Sequence, residues 1–277
     1  MRQWPWQALG ANGCPEPLVV PILNATPDSF SDGGQLLEGE ALLAQVQGWV
    51  DVGVCWVDVG GESTRPGAKA VPVDEEIARV IPVIRQLKET FPALWISIDT
   101  RKAAVAAAAL QVGASIVNDV SGLTFDPAMA ATVARHQAGV VMMHSQGTPE
   151  TMQDNPQYSD VVADVCMWLQ GQVQVAIAAG VPREAICLDP GFGFGKTLDH
   201  NRALLDHLDA LLALGLPMFV GLSRKSFLPG YFGVSGAISP QERDGLTLQA
   251  MAIAQRQGVR VFRVHGALVV PSLQQLK

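Results

Sequence analysis

An acidic residue followed by a glycine-rich turn is the stretch of this sequence that most strongly suggests chemistry. Asp189 comes directly after the apolar run Ala185–Leu188, which is typical of a buried strand, and the turn Pro190–Lys196 leads to a helix predicted to begin near Leu198. In parallel α/β proteins, ligand contacts lie at the carboxyl ends of strands. We therefore interpret Asp189 as a hydrogen-bond acceptor for a ligand with adjacent N–H groups. The alternative is a buried acid that caps the following helix.

The same turn looks like the end of a phosphate-binding P-loop, but its spacing excludes that function. Gly195, Lys196 and Thr197 match the last positions of the motif. The first glycine of the motif belongs five residues before the Gly-Lys pair, and that position is Pro190. Proline has no amide N–H with which to contact a phosphate.

Polar side chains also stand at the ends of other predicted strands, and one group of them suits a flat heterocycle. Asp99, Asn118 and Asp189 offer acceptors and an amide that match paired N–H donors. The faces of such a ring would be covered by Met143, Phe194 and Arg263. Asp58 lies inside its strand, and we predict a structural role for it.

A second group is cationic and suits a phosphate or diphosphate. It consists of Arg65, Arg224, Lys225, Arg263 and His265. Asn24 would complete the ligand set of a hard cation such as Mg²⁺, held mainly by phosphate oxygens. A solvated basic rim is the alternative for the whole group, and a Schiff base is a further alternative for Lys225.

Eight apolar runs alternate with segments of helical periodicity, and these runs carry the polar residues. The predicted strands are 18–23, 55–59, 94–98, 115–117, 139–143, 185–188, 217–221 and 261–264. This alternation predicts a (β/α)₈ barrel, in which the polar strand ends converge on one bowl. A doubly wound sheet is the alternative, but Asn24-Ala-Thr-Pro27 stands where its dinucleotide fingerprint belongs.

The helices connect these strands within one domain. They are predicted at 38–52, 74–90, 103–112, 160–179, 201–214 and 240–257, with one more opened by Pro127 and a last one closing the chain. Asp74 is expected to cap the second helix. We assign residues 18–277 to the barrel and residues 1–17 to an N-terminal extension that packs on its outside.

Composition argues against several other classes of protein. The formal net charge of −7 over 277 residues disfavours a sequence-independent nucleic-acid surface. The four scattered cysteines form no C-x-x-C pair, which indicates reduced thiols, and no apolar run has membrane-spanning length. The N-terminus lacks the apolar core of a signal peptide, so we expect a cytoplasmic protein without a membrane partner. H-E-x-x-H and G-x-S-x-G motifs are absent from the sequence.

Six collinear segments together carry a family resemblance. They are 24–34, 60–67, 118–122, 189–196, 221–226 and 263–265. With them the chain resembles the dihydropteroate synthase family of folate biosynthesis from about residue 18 to its end. The first segment and Ser223-Arg-Lys225 are specific to that family, whereas the Asp/Asn/Asp set is shared with pterin-dependent methyltransferases.

The resemblance implies condensation of 6-hydroxymethyl-7,8-dihydropterin diphosphate with 4-aminobenzoate, with release of diphosphate. It implies that the pterin is held by Asp99, Asn118, Asp189 and Lys225, in a pocket lined by Met143, Phe194, Gly221 and Arg263. It places Mg²⁺ on Asn24 and the diphosphate on Arg65, Arg263 and His265. It places 4-aminobenzoate beside Thr64, Pro66 and Ser226, under Phe30, with Asp32 facing the reacting methylene.

The implied chemistry assigns catalytic roles to Asp32, Arg65, Lys225, Arg263 and His265. The electron-rich dihydropterin delocalises positive charge, so the C–O bond can break before the arylamine attacks. The Arg/His cluster and Mg²⁺ would stabilise the departing diphosphate, and Asp32 the carbocation. Two loops would close over the site and exclude water.

Three positions depart from the family pattern: Arg101 stands where a smaller residue is common, Ser145 where Met is common, and Gly266 where Asp or Asn is usual. None belongs to the pterin-binding set, so an active enzyme is expected. The intact loop Ser63–Pro66 predicts sulfonamide sensitivity, and the resemblance suggests a homodimer built on helices of the later barrel units. A pterin-binding methyltransferase and a diverged barrel without catalysis are the alternative functions.

Overall fold

Short segments rich in β-branched residues form one parallel sheet of eight strands. The computed structural model describes residues 3–9, 16–25, 35–63, 70–147 and 151–266. The strands are β1 (Leu18–Asn24), β2 (Trp56–Gly60), β3 (Trp95–Asp99), β4 (Ile116–Asp119), β5 (Gly139–Met143), β6 (Ile186–Asp189), β7 (Phe219–Val220) and β8 (Val261–Val264). The strands β1, β3, β4 and β6 end, as predicted, on Asn24, Asp99, Asp119 and Asp189, and β2 extends one residue further than predicted, to Gly60.

The sheet closes into the predicted (β/α)₈ barrel. Its strand order is β6-β5-β4-β3-β2-β1-β8-β7, and all the pairs are parallel. The seam between β6 and β7 is closed by a single parallel bridge between Leu188 and Met218, and the Leu188 amide donates to the carbonyl of Pro217 at 2.9 Å. The carboxyl ends of the strands therefore surround one bowl.

Helices follow the strands around the outside of the barrel. They are α1 (Gln35–Asp51), α2 (Val73–Thr90), α3 (Ala103–Gln111), α4 (Met129–Arg135), α5 (Val161–Ala178), α6 (Leu198–Asp206), α7 (Leu208–Leu212), α8 (Leu228–Tyr231) and α9 (Pro240–Arg256). Local contacts explain where α9 begins. The Ser239 hydroxyl accepts from the Glu242 amide, the Glu242 carboxylate accepts from the Ser239 amide, and Pro240 occupies the first turn.

Several predicted helix boundaries are wrong. Asp74 does not cap α2, because the helix already begins at Val73 and Asp74 lies in its first turn, where an acid favours the helix dipole. Pro127 lies two residues before α4, whose first residue is Met129. The single helix predicted over 201–214 is two helices separated at His207, whose backbone is not helical. The helix predicted to close the chain lies outside the described residues.

One helix, α5, is long and apolar enough by composition to cross a membrane. Its buried residues Val161, Val165, Leu169 and Val173 belong to the same hydrophobic core as the strands. Asp160 caps its first turn by accepting from two backbone amides at 3.0 and 3.1 Å. These contacts are those of an outer barrel helix.

Residues 3–9 of the N-terminal extension do not pack only on the outside of the barrel. Trp4 and Trp6 are each 3% exposed and belong to the barrel core. The Trp6 ring lies 5.6 Å from Trp56 at the start of β2, and the Trp4 ring lies 5.9 Å from Trp95 at the start of β3. The segment therefore covers the amino end of the barrel, opposite the bowl.

Candidate active site

Strand register brings the predicted polar residues to one level of the bowl. Asn24 pairs with Gly60, Gly60 with Asp99, and Asp99 with Asn118 along four consecutive strands. On the other side of the barrel, Met143 at the end of β5 pairs with Asp189 at the end of β6. The acceptor residues predicted from the sequence are thus neighbours in space, as the barrel prediction requires.

Asp58 is fully buried below this level and accepts hydrogen bonds from several side chains. Its carboxylate accepts from the Asn118 amide at 3.0 Å and from Arg263 Nε at 2.6 Å. The Ser97 hydroxyl also contacts it, and that hydroxyl accepts from the Trp56 indole at 2.9 Å. Asp58 is therefore structural, as predicted, but it acts directly on two residues of the site.

Asn118 is oriented by this contact. Because its side-chain NH₂ group donates to Asp58, its carbonyl oxygen is left to accept hydrogen bonds. The side chain is only 3% exposed. An acceptor fixed in this way suits the N–H groups of a bound ring.

Arg263 links the two buried acids of the bowl. Its guanidinium donates to Asp58 through Nε and to Asp99 through Nη2, both at 2.6 Å. Two of its nitrogen atoms are thus already paired. A cation anchored by carboxylates keeps its position while a ligand binds.

Asp99 retains one oxygen for a ligand. Among the described residues, its Oδ1 is buried and has no hydrogen-bond partner. Burial raises the pKa of Asp99 to about 7, although the charge of Arg263 pulls the pKa down. A buried acceptor without a partner is costly unless a ligand donor meets it.

Asp189 is the third acid at the bowl, and it does not cap the next helix. Its Oδ1 accepts from the Gly191 amide at 2.7 Å, while the cap of α6 is Thr197, whose hydroxyl accepts from the His200 amide. Burial raises the pKa of Asp189 to about 6 against the lowering effects of the Gly191 amide and the charge of Lys225. Asp189 is thus available to a ligand.

Lys225 lies beside Asp189 and over an aromatic ring. Its Nζ is 4.3 Å from the centroid of the Phe194 ring, a cation–π distance. Burial lowers the pKa of Lys225 to about 8, while the charge of Asp189 opposes that shift. The two residues therefore form one wall of the bowl with an acidic and a cationic part.

The predicted cationic group is only partly assembled in the bowl. Arg224 turns toward α9 instead, where its guanidinium pairs with Asp244 at 2.7 and 2.8 Å. Its backbone amide donates to the Thr247 hydroxyl at 3.0 Å, and its φ is 56°. Placing Arg224 in a phosphate site was therefore wrong.

His265 is held by a residue that the sequence analysis did not select. Its backbone amide donates to the Ser223 hydroxyl at 3.1 Å, and its Nδ1 lies 3.3 Å from the same oxygen. The next residue, Gly266, has a φ of 72°. Gly, Asn and Asp all favour that left-handed backbone, so the departure at this position preserves the local conformation.

A further ion-pair network joins Glu62, which follows β2, to Lys102 and to Glu76 of α2. Glu62 accepts from Lys102 Nζ at 2.6 Å and from the Val71 amide at 2.7 Å, and Lys102 also contacts the buried Glu76. Arg101 lies 3.3 Å from Glu62 and stacks over Phe125 at 4.2 Å. This departure from the family pattern is thus paired with Glu62 and Phe125, while its Nε is buried without a hydrogen-bond partner among the described residues.

Some of the remaining predicted residues lie at strand ends or in described loops, and others lie outside the described residues. Gly221 and the exposed Ser226 flank Lys225 in the loop after β7. Asn24 is exposed at the end of β1. Five predicted residues lie outside the described residues: Phe30, Asp32, Thr64, Arg65 and Pro66.

Asn24 is a single oxygen donor rather than part of a metal cage. Across the described ranges, no group of three or more His, Cys, Asp or Glu side chains is arranged to hold a metal ion. One exposed amide fits a cation whose other ligands are phosphate oxygens and water, which is the usual situation of Mg²⁺. The donor chemistry is therefore compatible with the expectation from the sequence.

Comparison with known proteins identifies the family of this site. A family profile described as pterin binding enzyme matches residues 20–265. A dihydropteroate synthase of Synechocystis sp. is 43% identical over 247 residues, which cover 89% of this chain and 84% of that protein. The chain belongs to the pterin-binding enzyme family, and within it to the dihydropteroate synthases. Their reaction is a group transfer.

Solved dihydropteroate synthases share the fold over most of its length. The enzyme of Xanthomonas albilineans with 4-aminobenzoic acid superposes with a TM-score of 0.83 at 42% identity, covering 94% of this chain and 90% of that one. The enzyme of Yersinia pestis in a sulfonamide drug complex gives 0.81 at 38% identity, covering 94% and 95%. The resemblance found in the sequence is confirmed.

Proposed function

We propose that this chain condenses 6-hydroxymethyl-7,8-dihydropterin diphosphate with 4-aminobenzoate to form 7,8-dihydropteroate and diphosphate. The observation that carries the proposal is the buried acceptor set of Asp99, Asn118 and Asp189, with Lys225 and Arg263 beside it. The family and its solved relatives give this set its substrate class.

The acceptors suit the hydrogen-bonding edge of a dihydropterin. Its ring N–H and amino groups are donors, and Asp99 Oδ1, the Asn118 carbonyl and the Asp189 carboxylate supply acceptors. Phe194 and Met143 line the same bowl and supply apolar surface for a flat ring. Lys225 places a positive charge near Asp189, whose pKa that charge lowers.

The reaction needs stabilisation of charge more than a strong base. The bond between the exocyclic methylene and the diphosphate oxygen breaks, and its electron pair leaves with the diphosphate. The lone pair of the arylamine then forms the new C–N bond, and the amine releases a proton to solvent. We assign contacts with the diphosphate to Arg65, Arg263 and His265, and contact with the methylene cation to Asp32.

The 4-aminobenzoate site and the metal belong to the same proposal. Thr64, Pro66, Ser226 and Phe30 would border the aminobenzoate. Asn24 would hold Mg²⁺, which supplies electrostatic stabilisation of the diphosphate charge when bound. Omitting the metal tests this assignment, and Asn24→Ala should raise the Mg²⁺ concentration needed for half-maximal rate.

We also propose a cytoplasmic homodimer. The three cysteines within the described residues, Cys55, Cys166 and Cys187, are thiols and not disulfides, which suits a reducing compartment. The homodimer rests on the family resemblance. Light scattering coupled to size-exclusion chromatography should give twice the chain mass, and a single chain mass would contradict it.

Diphosphate release tests the catalytic proposal directly. The purified protein is incubated with Mg²⁺, the dihydropterin diphosphate and 4-aminobenzoate, and each component is omitted in turn. Release that needs all three, with dihydropteroate formed in equal amount, is the expected result. Saturable pterin binding without turnover would instead indicate a barrel that has lost catalysis.

A further inference from the structure

Lys196 is a buried lysine whose ammonium group is used inside the glycine-rich loop. The residue is 3% exposed. Its Nζ lies 3.0 Å from three acceptors: the carbonyl of Gly191, the carbonyl of Phe194 and Nδ1 of His144. Burial lowers the pKa of Lys196 to about 7, while the charge of Asp189 opposes that shift. In the ammonium form, its three hydrogens match these three acceptors. The lysine that looked like the end of a P-loop thus binds the loop itself.

His144 acts as an acceptor in this arrangement. Burial and then the charge of Lys196 lower the pKa of His144 to about 3, so the imidazole is neutral and its Nδ1 can accept. Trp168 packs edge-on against the ring at 5.0 Å, and Tyr158 lies 6.0 Å away. His144, which directly follows β5, is therefore part of the support behind the bowl.

Other side chains hold the rest of the loop at its backbone. The Tyr158 hydroxyl donates to the Gly195 carbonyl at 2.8 Å, and Gln153 donates to the Gly193 carbonyl at 2.7 Å. The Gly193 amide donates to Asn201 at 2.8 Å. The loop is thus fixed from both sides, with Lys196 at its centre.

The loop carries two groups that face the proposed ligand. At its start, the Gly191 amide holds Asp189 Oδ1, and in its middle the Phe194 ring lies under Lys225. Lys196 holds the carbonyls of these same two residues, Gly191 and Phe194. Its charge also favours the ionised form of Asp189.

We propose that Lys196 is a positioning residue for pterin recognition, whose ammonium group fixes the Gly191 and Phe194 carbonyls so that the loop presents Asp189 and Phe194 in their binding geometry before the ligand arrives. The proposal rests on the proposed function for its ligand. It assigns Lys196 an effect on pterin binding that a lysine with only a structural role would not have.

Lys196→Met removes the charge and the three hydrogen bonds and keeps an unbranched apolar side chain. The KM for the dihydropterin diphosphate should rise by about tenfold or more, with the KM for 4-aminobenzoate changed by less than about threefold. The acidic limb of kcat/KM for the pterin substrate should also move to higher pH, because Asp189 loses a nearby cation. A stability loss with unchanged pterin KM and pH profile would overturn the proposal.

Lys196→Gln is the second variant, because it keeps N–H donors but no charge. It should show the same shift of the acidic limb with a smaller rise in pterin KM. Tyr158→Phe removes one loop contact without changing charge, and should raise the pterin KM slightly with no shift in the pH profile. Arg202→Met is the matched control, since it removes a positive charge from the exposed face of α6.

Amide hydrogen exchange provides a readout that needs neither substrate nor turnover. In ligand-free protein, the amides of Gly191 and Gly193 should exchange faster in Lys196→Met than in the wild type, while amides of β3 and β4 keep their protection. Unchanged exchange in the loop would overturn the proposal. An inactive wild type with faster loop exchange in the variant would instead reject the proposed function while retaining the role of Lys196 in the loop.

Discussion

At the scale of single residues, the bowl depends on buried acids. They are hydrogen-bonded on the side away from the ligand, and one of them keeps an acceptor oxygen for the ligand. Asp58 is completely satisfied by its donors, whereas Asp99 keeps Oδ1 for a ligand. Burial raises the pKa of Asp99 to about 7, and the charge of Arg263 limits that rise. The contacts on the side away from the ligand therefore favour the ionised form of Asp99.

Asp58→Asn should lower the catalytic efficiency with the pterin substrate by disturbing Arg263 and Asn118, and not through a contact of residue 58 with the substrate. It removes a buried charge that holds Arg263 and orients Asn118, and breaking one side of a buried ion pair costs about 3 to 5 kcal/mol of folding stability. We expect kcat/KM for the pterin substrate to fall by about tenfold or more, measured at saturating 4-aminobenzoate. Glu75→Gln, which breaks an exposed pair on α2, is the control. Equal kinetics in both variants would contradict the positioning role of Asp58.

The raised pKa values of the two open acids predict how pterin binding depends on pH. Asp189 at about 6 and Asp99 at about 7 accept hydrogen bonds more strongly when ionised, so affinity should rise with pH through this range. It should fall again as Lys196, with a pKa of about 7, and Lys225, with a pKa of about 8, lose their charges. Calorimetric titration with 6-hydroxymethyl-7,8-dihydropterin avoids the titration of a phosphate. Constant affinity from about pH 5 to pH 8 would contradict these assignments.

Folding stability should respond to the same groups in the opposite direction. The folded protein binds protons at Asp99 and Asp189 more tightly than the unfolded chain, whose Asp pKa is near 3.8. Their contribution to stability is therefore present at low pH and is lost as the pH rises through about 4 to 7. Binding and stability thus oppose each other at these two residues.

At the scale of elements, periodicity and strand-end polarity predicted most of the fold and the acceptor set. The eight strands and the convergence of Asp99, Asn118 and Asp189 follow from local pattern and the barrel rule. Asp58 and Ser223 were not predicted as partners of site residues, because their importance depends on contacts between distant strands. Arg224 was misplaced because a positive φ turned it toward α9.

The N-terminal segment, at the opposite end of the barrel, is a second case in which the sequence did not predict contacts between distant parts of the chain. Nothing in the sequence around Trp6 indicates that its indole donates to the Glu184 carbonyl at 3.1 Å, or that its ring packs on Trp56. A Cβ on Gly139 would lie 2.9 Å from the Trp6 ring, so glycine at the start of β5 leaves room for it. This is a tertiary match between segments far apart in the chain.

Trp6→Ala should therefore destabilise the protein and leave its catalysis unchanged. Removing a buried tryptophan typically costs about 3 to 5 kcal/mol of unfolding free energy, measured by urea denaturation. Because the segment lies at the amino end of the barrel, kcat and both KM values should stay near wild type at a temperature where the variant is folded. Trp6→Phe, which keeps an aromatic ring, should lose less. Full stability in Trp6→Ala would contradict the structural role of this segment.

At the scale of the whole molecule, the site spans the weakest join of the barrel. The strand β7 has only two residues, and a single bridge between Leu188 and Met218 joins it to β6. Asp189 follows Leu188 directly, and Lys225 lies in the loop after β7. A ligand held by both residues would therefore connect the two sides of the seam.

Ligand binding should then protect the seam from local opening. A ligand that binds only the closed barrel stabilises it by mass action, and the effect is largest where opening is easiest. The Leu188 amide donates to the Pro217 carbonyl. With 6-hydroxymethyl-7,8-dihydropterin bound, this amide should exchange its hydrogen at least about tenfold more slowly than in the free protein. Amides between β3 and β4, on the opposite side, should change much less. Equal protection on both sides would mean that the ligand stabilises the barrel as a whole, and that Asp189 and Lys225 do not act as a clasp across β6 and β7.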